Sequence, residues 1–427
     1  MENKYLRIVA TKLLVLMLLI TSNNLVKAQI VEWPDCEKFL GNISQGSTPS
    51  NWLDYWNQVT PENAGKWGQA EPSRDNMNWN GLDVAYDLAK ENGYIFKHHV
   101  FVWGNQQPNW IEDLPEDEQL EEIEEWIMLF CERYPDTDII EVVNEPLNDP
   151  PFGPGNGNYA NALGGSGETG HDWIIKAFEL AREYCPNAQL MINEYNILGG
   201  SSLINSYLNI VNSLKQRDLI DAVGAQAHEF TVFNRTSEQL TDALDILATA
   251  ELPIYITELD IGSGDNSQPI DDDLQLERYR EIFPAIWRHS SVKGITLWGY
   301  RQNNIWRSTA YLVNSDGSER PAMEFLKSFV TGGNSQCDGI TSVEELPKKA
   351  ALFQVYPNPT TGTGLHIASD QSVDRVVIRN VGGKIVDTIY PNHTSPNLDL
   401  NLDLKTGIYF VSIFSNELKE IHKVIVN

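Results

Sequence analysis

From about residue 36 to residue 330, short apolar runs of β-type residues alternate with amphipathic stretches of helical period. Runs rich in Val, Ile, Leu and Phe and bounded by polar residues have the length and composition of buried strands. They lie at 39–43, 58–60, 95–101, 139–144, 190–193, 223–227, 254–257 and 294–298. Between them the period becomes helical. Over 116–133, Ile123, Trp126, Ile127 and Phe130 fall on one stripe, and 236–248 opens with Thr236 and Gln239 at capping-box spacing. Eight strand–helix repeats in about 290 residues predict an α/β fold of the (β/α)₈ barrel type. A doubly wound open sheet is the competitor, but no glycine-rich phosphate turn follows any of these strands.

Beyond 330 the helical period disappears. Residues 331–349 are rich in Gly, Ser, Glu and Lys and read as a linker. Alternating runs at 376–379, 385–389, 408–413 and 422–426 then predict a small all-β, immunoglobulin-like sandwich over 350–427, with turns at Gly382-Gly383 and Thr406-Gly407. At the other end, Lys4, Arg7 and Lys12 precede an apolar run at 13–20 and small residues around Ala28. This pattern is an export signal over 1–28, cleaved before Gln29, which leaves 29–330 as the barrel domain. The apolar run is too short for a stable membrane span, so no integral membrane segment is expected.

Thirty-one basic residues against 59 acidic ones give a net charge of −28. Such a surface repels nucleic acid and anionic membranes, which excludes polyanionic partners. Nothing in the pattern calls for an oligomer, and a monomer is expected. The four cysteines lack metal-ligand spacing, and export favours disulfides. Cys131 and Cys185 each end a predicted helix of neighbouring barrel units, while Cys36 and Cys337 bracket the barrel. The pairings expected are therefore 131–185 and 36–337. His98 and His99 point to opposite faces of a strand and cannot chelate together. No metal or cofactor is expected.

The predicted strands end repeatedly in polar groups: His98-His99, Asn144-Glu145, Asn193-Glu194, Gln226 with His228, Glu258 with Asp260, and Trp298. In a barrel all six endings converge on the rim where active sites form. Glu145 and Glu258 stand out, because two carboxylates flanking a glycosidic bond supply the proton and the nucleophile or base that its hydrolysis needs. Their separation decides between retention and inversion. Twelve tryptophans also suit a protein that stacks on sugars. Trp126, Trp173 and Trp287 lie on helical stretches and are expected in the core, whereas Trp103, Trp298 and Trp306 lie near strand ends.

These motifs together resemble glycoside hydrolase family 10, the barrel xylanases, along roughly 36–330. Glu62-Asn63-x-x-Lys66-Trp67 is similar to the segment after the family's second strand, which holds the sugars at the −2 and −1 subsites. His99 and Trp103, with Gln106, Pro108 and Trp110, are similar to its third-strand block. Asn144-Glu145-Pro146 and Thr257-Glu258-Leu259-Asp260 resemble the acid/base and nucleophile motifs. The resemblance implies that His228, in Gln226-Ala-His228, bonds the nucleophile, with Asp260 orienting the ring. It also implies that Trp298 and Trp306 wall the −1 sugar and that Tyr195, in Asn193-Glu194-Tyr195-Asn196, stands near the +1 site. Its implied function is a secreted, retaining endo-1,4-β-xylanase acting on xylan or xylo-oligosaccharides. The alternatives are a related barrel glycosidase acting on β-glucan or cellulose, and a non-catalytic polysaccharide-binding barrel.

Three residues depart from the family pattern. Gly104 stands where His is usual, Glu194 where Asp is commoner, and Arg301 near the place of an acidic residue after Trp298-Gly299. Arg301 is a candidate for contact with a glucuronic acid branch; otherwise it is a surface arginine. The tail resembles a type A sorting domain of the type IX secretion system, through Val355-Tyr-Pro-Asn-Pro359, Ile378-Arg-Asn-Val-Gly-Gly-Lys384 and Leu404-Lys-Thr-Gly-Ile-Tyr409. This implies the type IX machinery as partner and release from, or attachment to, a Gram-negative cell surface. A carbohydrate-binding sandwich is the alternative, but residues 350–427 contain no tryptophan.

Overall fold

Eight parallel strands close into a barrel in sequence order, β1 Phe39–Ser44, β2 Gln58–Pro61, β3 Ile95–Val102, β4 Ile139–Asn144, β5 Gln189–Glu194, β6 Ala222–Ala227, β7 Ile254–Leu259 and β8 Val292–Leu297. Closure is made by β1 against β8, from Phe39 opposite Gly294 to Asn42 opposite Leu297. The computed structural model describes residues 38–331, apart from 47–48, 50, 201 and 265–270. It also describes 353–427, apart from 362, 370–371, 381–384, 392–396, 403 and 416–417. The expected leader over 1–28, Cys36, Cys337 and all of the expected linker except Thr331 lie outside these residues. Thr331 itself ends a helix.

The helices in chain order are α1 Trp67–Ala70, α2 Asn80–Glu91, α3 Glu116–Arg133, α4 Asp172–Tyr184, α5 Leu203–Lys215, α6 Glu229–Val232, α7 Ser237–Ala248, α8 Asp272–Trp287 and α9 Pro321–Thr331. The Thr236 side chain caps α7, with Gln239 completing the box. The strand–helix repeat has one exception. Between β1 and β2 there is a single 3₁₀ turn at Trp52–Asp54, where Trp52 and Trp56 are fully buried. Trp126, Trp173 and Trp287 are also buried. His98 faces outward from the barrel and packs on Phe130 of α3, ring centroids 3.9 Å apart. Cys131 and Cys185 are joined as a disulfide, Cα atoms 5.3 Å apart, tying the ends of α3 and α4.

The barrel interior changes chemistry along its axis. At the N-terminal end Phe39, Ile139, Met191 and Tyr255 form a small apolar cluster, with Phe39 stacked on Tyr255. Above it the inward positions become polar: Gln58 bonds Thr60 and Thr296, Lys97 pairs with Glu141, and Thr257 donates to Asn193. These groups are fully buried and mutually satisfied, which is the condition for placing them in a core.

Two register irregularities aim the functional side chains. On β4, Glu141 lies opposite Met191 but Val143 opposite Ile192, so Val142 is an extra residue. The bulge reverses the alternation and lets Glu141 and Asn144, three residues apart, both face inward. On β7, Ile256 lies opposite Ala225 and Glu258 opposite Gln226, so Thr257 is extra and Glu258 joins it inside the barrel mouth.

The second unit consists of two antiparallel sheets, a three-stranded one ordered β13-β10-β9 and a four-stranded one ordered β12-β11-β14-β15. Their strands are β9 Phe353–Tyr356, β10 Gly364–Ser369, β11 Arg375–Asn380, β12 Ile385–Ile389, β13 Asn397–Asn401, β14 Gly407–Ser415 and β15 Leu418–Val426. Leu365 and Ile367 from one sheet share a core with Val376, Ile378, Val411 and Ile413 from the other. The pattern of apolar runs does not reveal β9, β10 or β13, because each carries only two or so inward apolar residues among polar neighbours. No helix among the described residues is long and apolar enough to cross a membrane.

Candidate active site

At the C-terminal mouth of the barrel a cleft of about 610 Å³ is lined by Glu145 and Glu258 together with Glu62, Asn63, Lys66, His99, Trp103, Gln106, Asn144, Tyr195, Gln226, His228, Trp298 and Trp306. Every cleft residue singled out from the sequence is in this one place, with Asp260 just behind His228.

Glu145 directly follows β4 and takes a φ of 53°. A side-chain-bearing residue enters this left-handed region only when its surroundings hold it there. The hold is visible: its N–H donates to the Asn193 carbonyl at 2.8 Å, and its own carbonyl accepts from the Asp149 N–H at 2.8 Å. The carboxyl accepts from Trp103 Nε1 at 2.9 Å and from Gln226 Nε2 at 2.8 Å. Burial, reinforced by the negative charge of Glu258, pushes this carboxyl up to about 8.

Glu258 has the opposite environment. Asn193 Nδ2 donates to its Oε1 at 3.0 Å, and His228 Nε2 lies 3.1 Å from its Oε2. The other ring nitrogen of His228 is 2.6 Å from Asp260 Oδ2, and Trp306 Nε1 donates to that same oxygen at 2.9 Å. Burial works against a charged ring, but Asp260 and Glu258 overcome it and push His228 up to about 10. At neutral pH an imidazolium therefore bridges two carboxylates. Two glutamates of one cleft are thus held in different states, one protonated and one facing a cation.

The remaining groups line the cleft around this pair. Lys66 Nζ donates to Asn63 Oδ1 and to Gln106 Oε1 and lies 5.4 Å from the Trp103 ring centre. Burial lowers the Lys66 pKa, and Glu258 and Glu62 oppose that shift. Glu62 accepts from Gln45 Nε2 at 2.8 Å. His99 Nδ1 is 2.6 Å from Glu141, and Trp298 meets the His99 ring edge-on at 5.2 Å. Asn144 Oδ1 accepts from Asn193 and Gln226, and its Nδ2 is buried with no protein partner, a donor left for a ligand. The Tyr195 hydroxyl reaches Asp149 at 3.4 Å.

Several participants were not singled out from the sequence. Asn193 bonds both Glu258 and Asn144, although in sequence it is only part of a strand-end motif. Lys97 and Glu141 form a fully buried ion pair beneath His99. Burial alone would raise Glu141; Lys97 and His99 hold it down at about 2. His99, Glu141 and Glu258 bring ligand-type atoms within 4.8 Å of one another. Lys97, Asn193 and His228 already engage those carboxylates, so the set is a charge-balanced network. Phe230 on α6 is half exposed and forms a cleft wall against Tyr195 and His228.

The three departures have distinct local settings. A Cβ at Gly104 would lie 2.4 Å from the carbonyl oxygens of both Asp149 and Pro150, so the loop after Glu145 fills the volume a larger residue needs. Glu194 accepts from Leu147 N, Asn148 Nδ2 and Tyr195 N, and burial raises its carboxyl to about 7. Arg301 lies off the cleft, in a small recess with Asn42, Trp52 and Asn304.

Residues 35–329 match the model of glycosyl hydrolase family 10. The chain belongs to that family. Residues 354–427 match the secretion system C-terminal sorting domain. The chain is 40% identical over 294 residues to endo-1,4-beta-xylanase B of Cellvibrio japonicus, an alignment covering 68% of this chain and 45% of that protein. It therefore spans less than half the length of that relative. It is 30% identical over 273 residues to endo-1,4-beta-xylanase A of Caldicellulosiruptor saccharolyticus, covering 60% and 78% of the two chains. Among solved structures, native xylanase 10B from Thermotoga maritima is similar with a TM-score of 0.59 at 25% identity, over 69% of this chain and 95% of that one. The family 10 barrel is thus the setting in which the two glutamates stand.

Proposed function

We propose that this family 10 chain is an exported endo-1,4-β-xylanase that cleaves internal β-1,4-xylosidic bonds with retention of configuration. The observation that carries the reading is the pair of opposed environments in one cleft: Glu145 pushed up to about 8 by burial, and Glu258 facing the His228 cation. Glu258 attacks the anomeric carbon as a carboxylate while Glu145 gives its proton to the departing oxygen, so one C–O bond forms as another breaks. In the second step Glu145 takes a proton from water, the water oxygen bonds the anomeric carbon, and Glu258 leaves as a carboxylate. Lys66, Asn63, His99 and Trp298 hold the sugar that is attacked, and the free Asn144 Nδ2 donates to its 2-hydroxyl. Tyr195 and Phe230 flank the leaving group. The names of the relatives support xylan as substrate.

The leader over 1–28 and the sorting domain support export through the type IX route of a Gram-negative cell, ending in release or surface attachment. The test is release of reducing sugar from glucuronoxylan, arabinoxylan, barley β-glucan and carboxymethyl cellulose. Proton NMR follows the first-formed anomer. Fast cleavage of the xylans to β-anomers supports the proposal. Preference for a glucan overturns the substrate, and initial α-anomers overturn the mechanism.

A further inference from the structure

Beside the cleft lies a second recess, of about 680 Å³, and Phe230 is a wall of both. Its polar lining includes Asn196, Ser202, Thr231, Asn234, Gln239 and Arg235. The cationic group of the recess is Arg235. Elsewhere Arg74, Arg133, Arg182, Arg307 and Arg320 each hold a carboxylate, while Arg217 and Arg278 bond serine or backbone oxygens. Among the described residues the Arg235 guanidinium has no ion pair and no hydrogen-bond acceptor, in a chain with 59 acidic side chains.

The guanidinium lies against the turn at Gly199-Gly200. Gly200, at φ 71°, lies so close that an added Cβ would come within 3.0 Å of Nη2 and 3.2 Å of Nη1. The planar fork thus rests against bare backbone. Arg278 Nη2 donates to the Arg235 backbone carbonyl at 2.6 Å, its guanidinium lying over the Phe233 ring. Across the recess, Thr231 Oγ1 donates to Asn196 Oδ1 at 2.9 Å. An unpaired guanidinium matches a carboxylate through two parallel N–H···O bonds, and an aromatic wall with amide groups suits a sugar ring.

We propose that this recess binds a hexuronic acid branch carried by the substrate on the leaving-group side, with Arg235 holding its carboxylate. The inference rests on the xylanase reading above and adds a preference for acidic decoration. Arg301, off the cleft, has no part in it.

The test compares kcat/KM on glucuronoxylan with kcat/KM on the same polymer after carboxyl reduction, for the full chain and for Arg235→Gln and Arg235→Lys. The ratio should exceed one in the wild-type chain, fall about tenfold in Arg235→Gln and be partly kept by Arg235→Lys, since one charge-assisted pair is removed and then half restored. It should also shrink with added salt. An equal ratio in wild type and Arg235→Gln overturns the site. A chain that cleaves neither polymer sinks the xylanase reading instead. Calorimetry on Glu258→Gln, with and without Arg235→Gln, then still decides the recess. Tighter binding of a glucuronic-acid-branched xylotetraose than of plain xylotetraose, lost with Arg235, supports it; equal affinities refute it.

Discussion

Gln226 Nε2 donates to Glu145 Oε1 at 2.8 Å, so the carboxyl proposed as acid/base is served by a neutral donor from β6. A donor of this kind favours the ionised form and works against the burial that raises Glu145. Replacing Gln226 with Leu should therefore move the alkaline limb of the pH–kcat/KM profile to higher pH. That limb marks loss of the Glu145 proton, and activity should fall as pH rises through about 8 in the parent chain. A downward move would mean that another group sets the limb.

Glu258 raises Glu145 through its charge. In Glu258→Gln that charge is absent, and the Glu145 titration should shift to lower pH while remaining above the ordinary carboxyl range because burial persists. Carbon-13 NMR of the glutamate carboxyls reads this without requiring turnover. An unmoved Glu145 signal would show that the two groups do not share a field.

The two glutamates should separate by substrate. Glu145→Ala should lose about 10²–10⁴-fold on xylan but much less in glycosylation by aryl xylosides with acidic leaving groups, which need no proton. Glu258→Ala should lose turnover on both classes, and azide should restore it with product of inverted configuration. Equal losses on every substrate for Glu145→Ala would remove it from the acid role.

His228 links stability to pH. Its folded pKa, about 10, lies above the ordinary value of 6.5, so its contribution is complete below about 6.5 and is lost as pH rises through about 10. Comparing urea midpoints of the parent chain and His228→Gln should show the largest gap near pH 6 and a narrowing gap toward pH 10. A gap independent of pH would mean that folding leaves the His228 pKa unshifted.

The Cys131–Cys185 bond closes a loop of 54 residues between the ends of α3 and α4. The double substitution to Ser should cost about 2–4 kcal/mol, seen as a lower melting temperature, with catalysis at low temperature largely kept. No loss would mean that packing between the two helices carries that contact alone.

The sequence by itself determined the features that depend on near neighbours. Strand and helix periods, the Thr236 cap, and polar residues at strand ends are local, and they placed Glu145, Glu258, His228, Trp103, Trp298 and Trp306 on one rim. Strand limits shifted by only a residue or two, except that β15 begins four residues earlier, at Leu418, and the weakly apolar strands of the tail escaped notice. Tertiary structure decided what depends on register and burial. The extra residues Val142 and Thr257 turn Asn144 and Glu258 inward, and a bulge has no signature in a hydrophobic pattern. Only the closed barrel sets Asn193 between Asn144 and Glu258 and buries Lys97 against Glu141. Gly104 is explained by carbonyls from a loop far along the chain, and among the described residues Arg235 faces a recess beside the cleft without an ion pair. Pairing, exclusion and charge balance of this kind arise between residues distant in sequence, so they exist only once the chain has closed on itself.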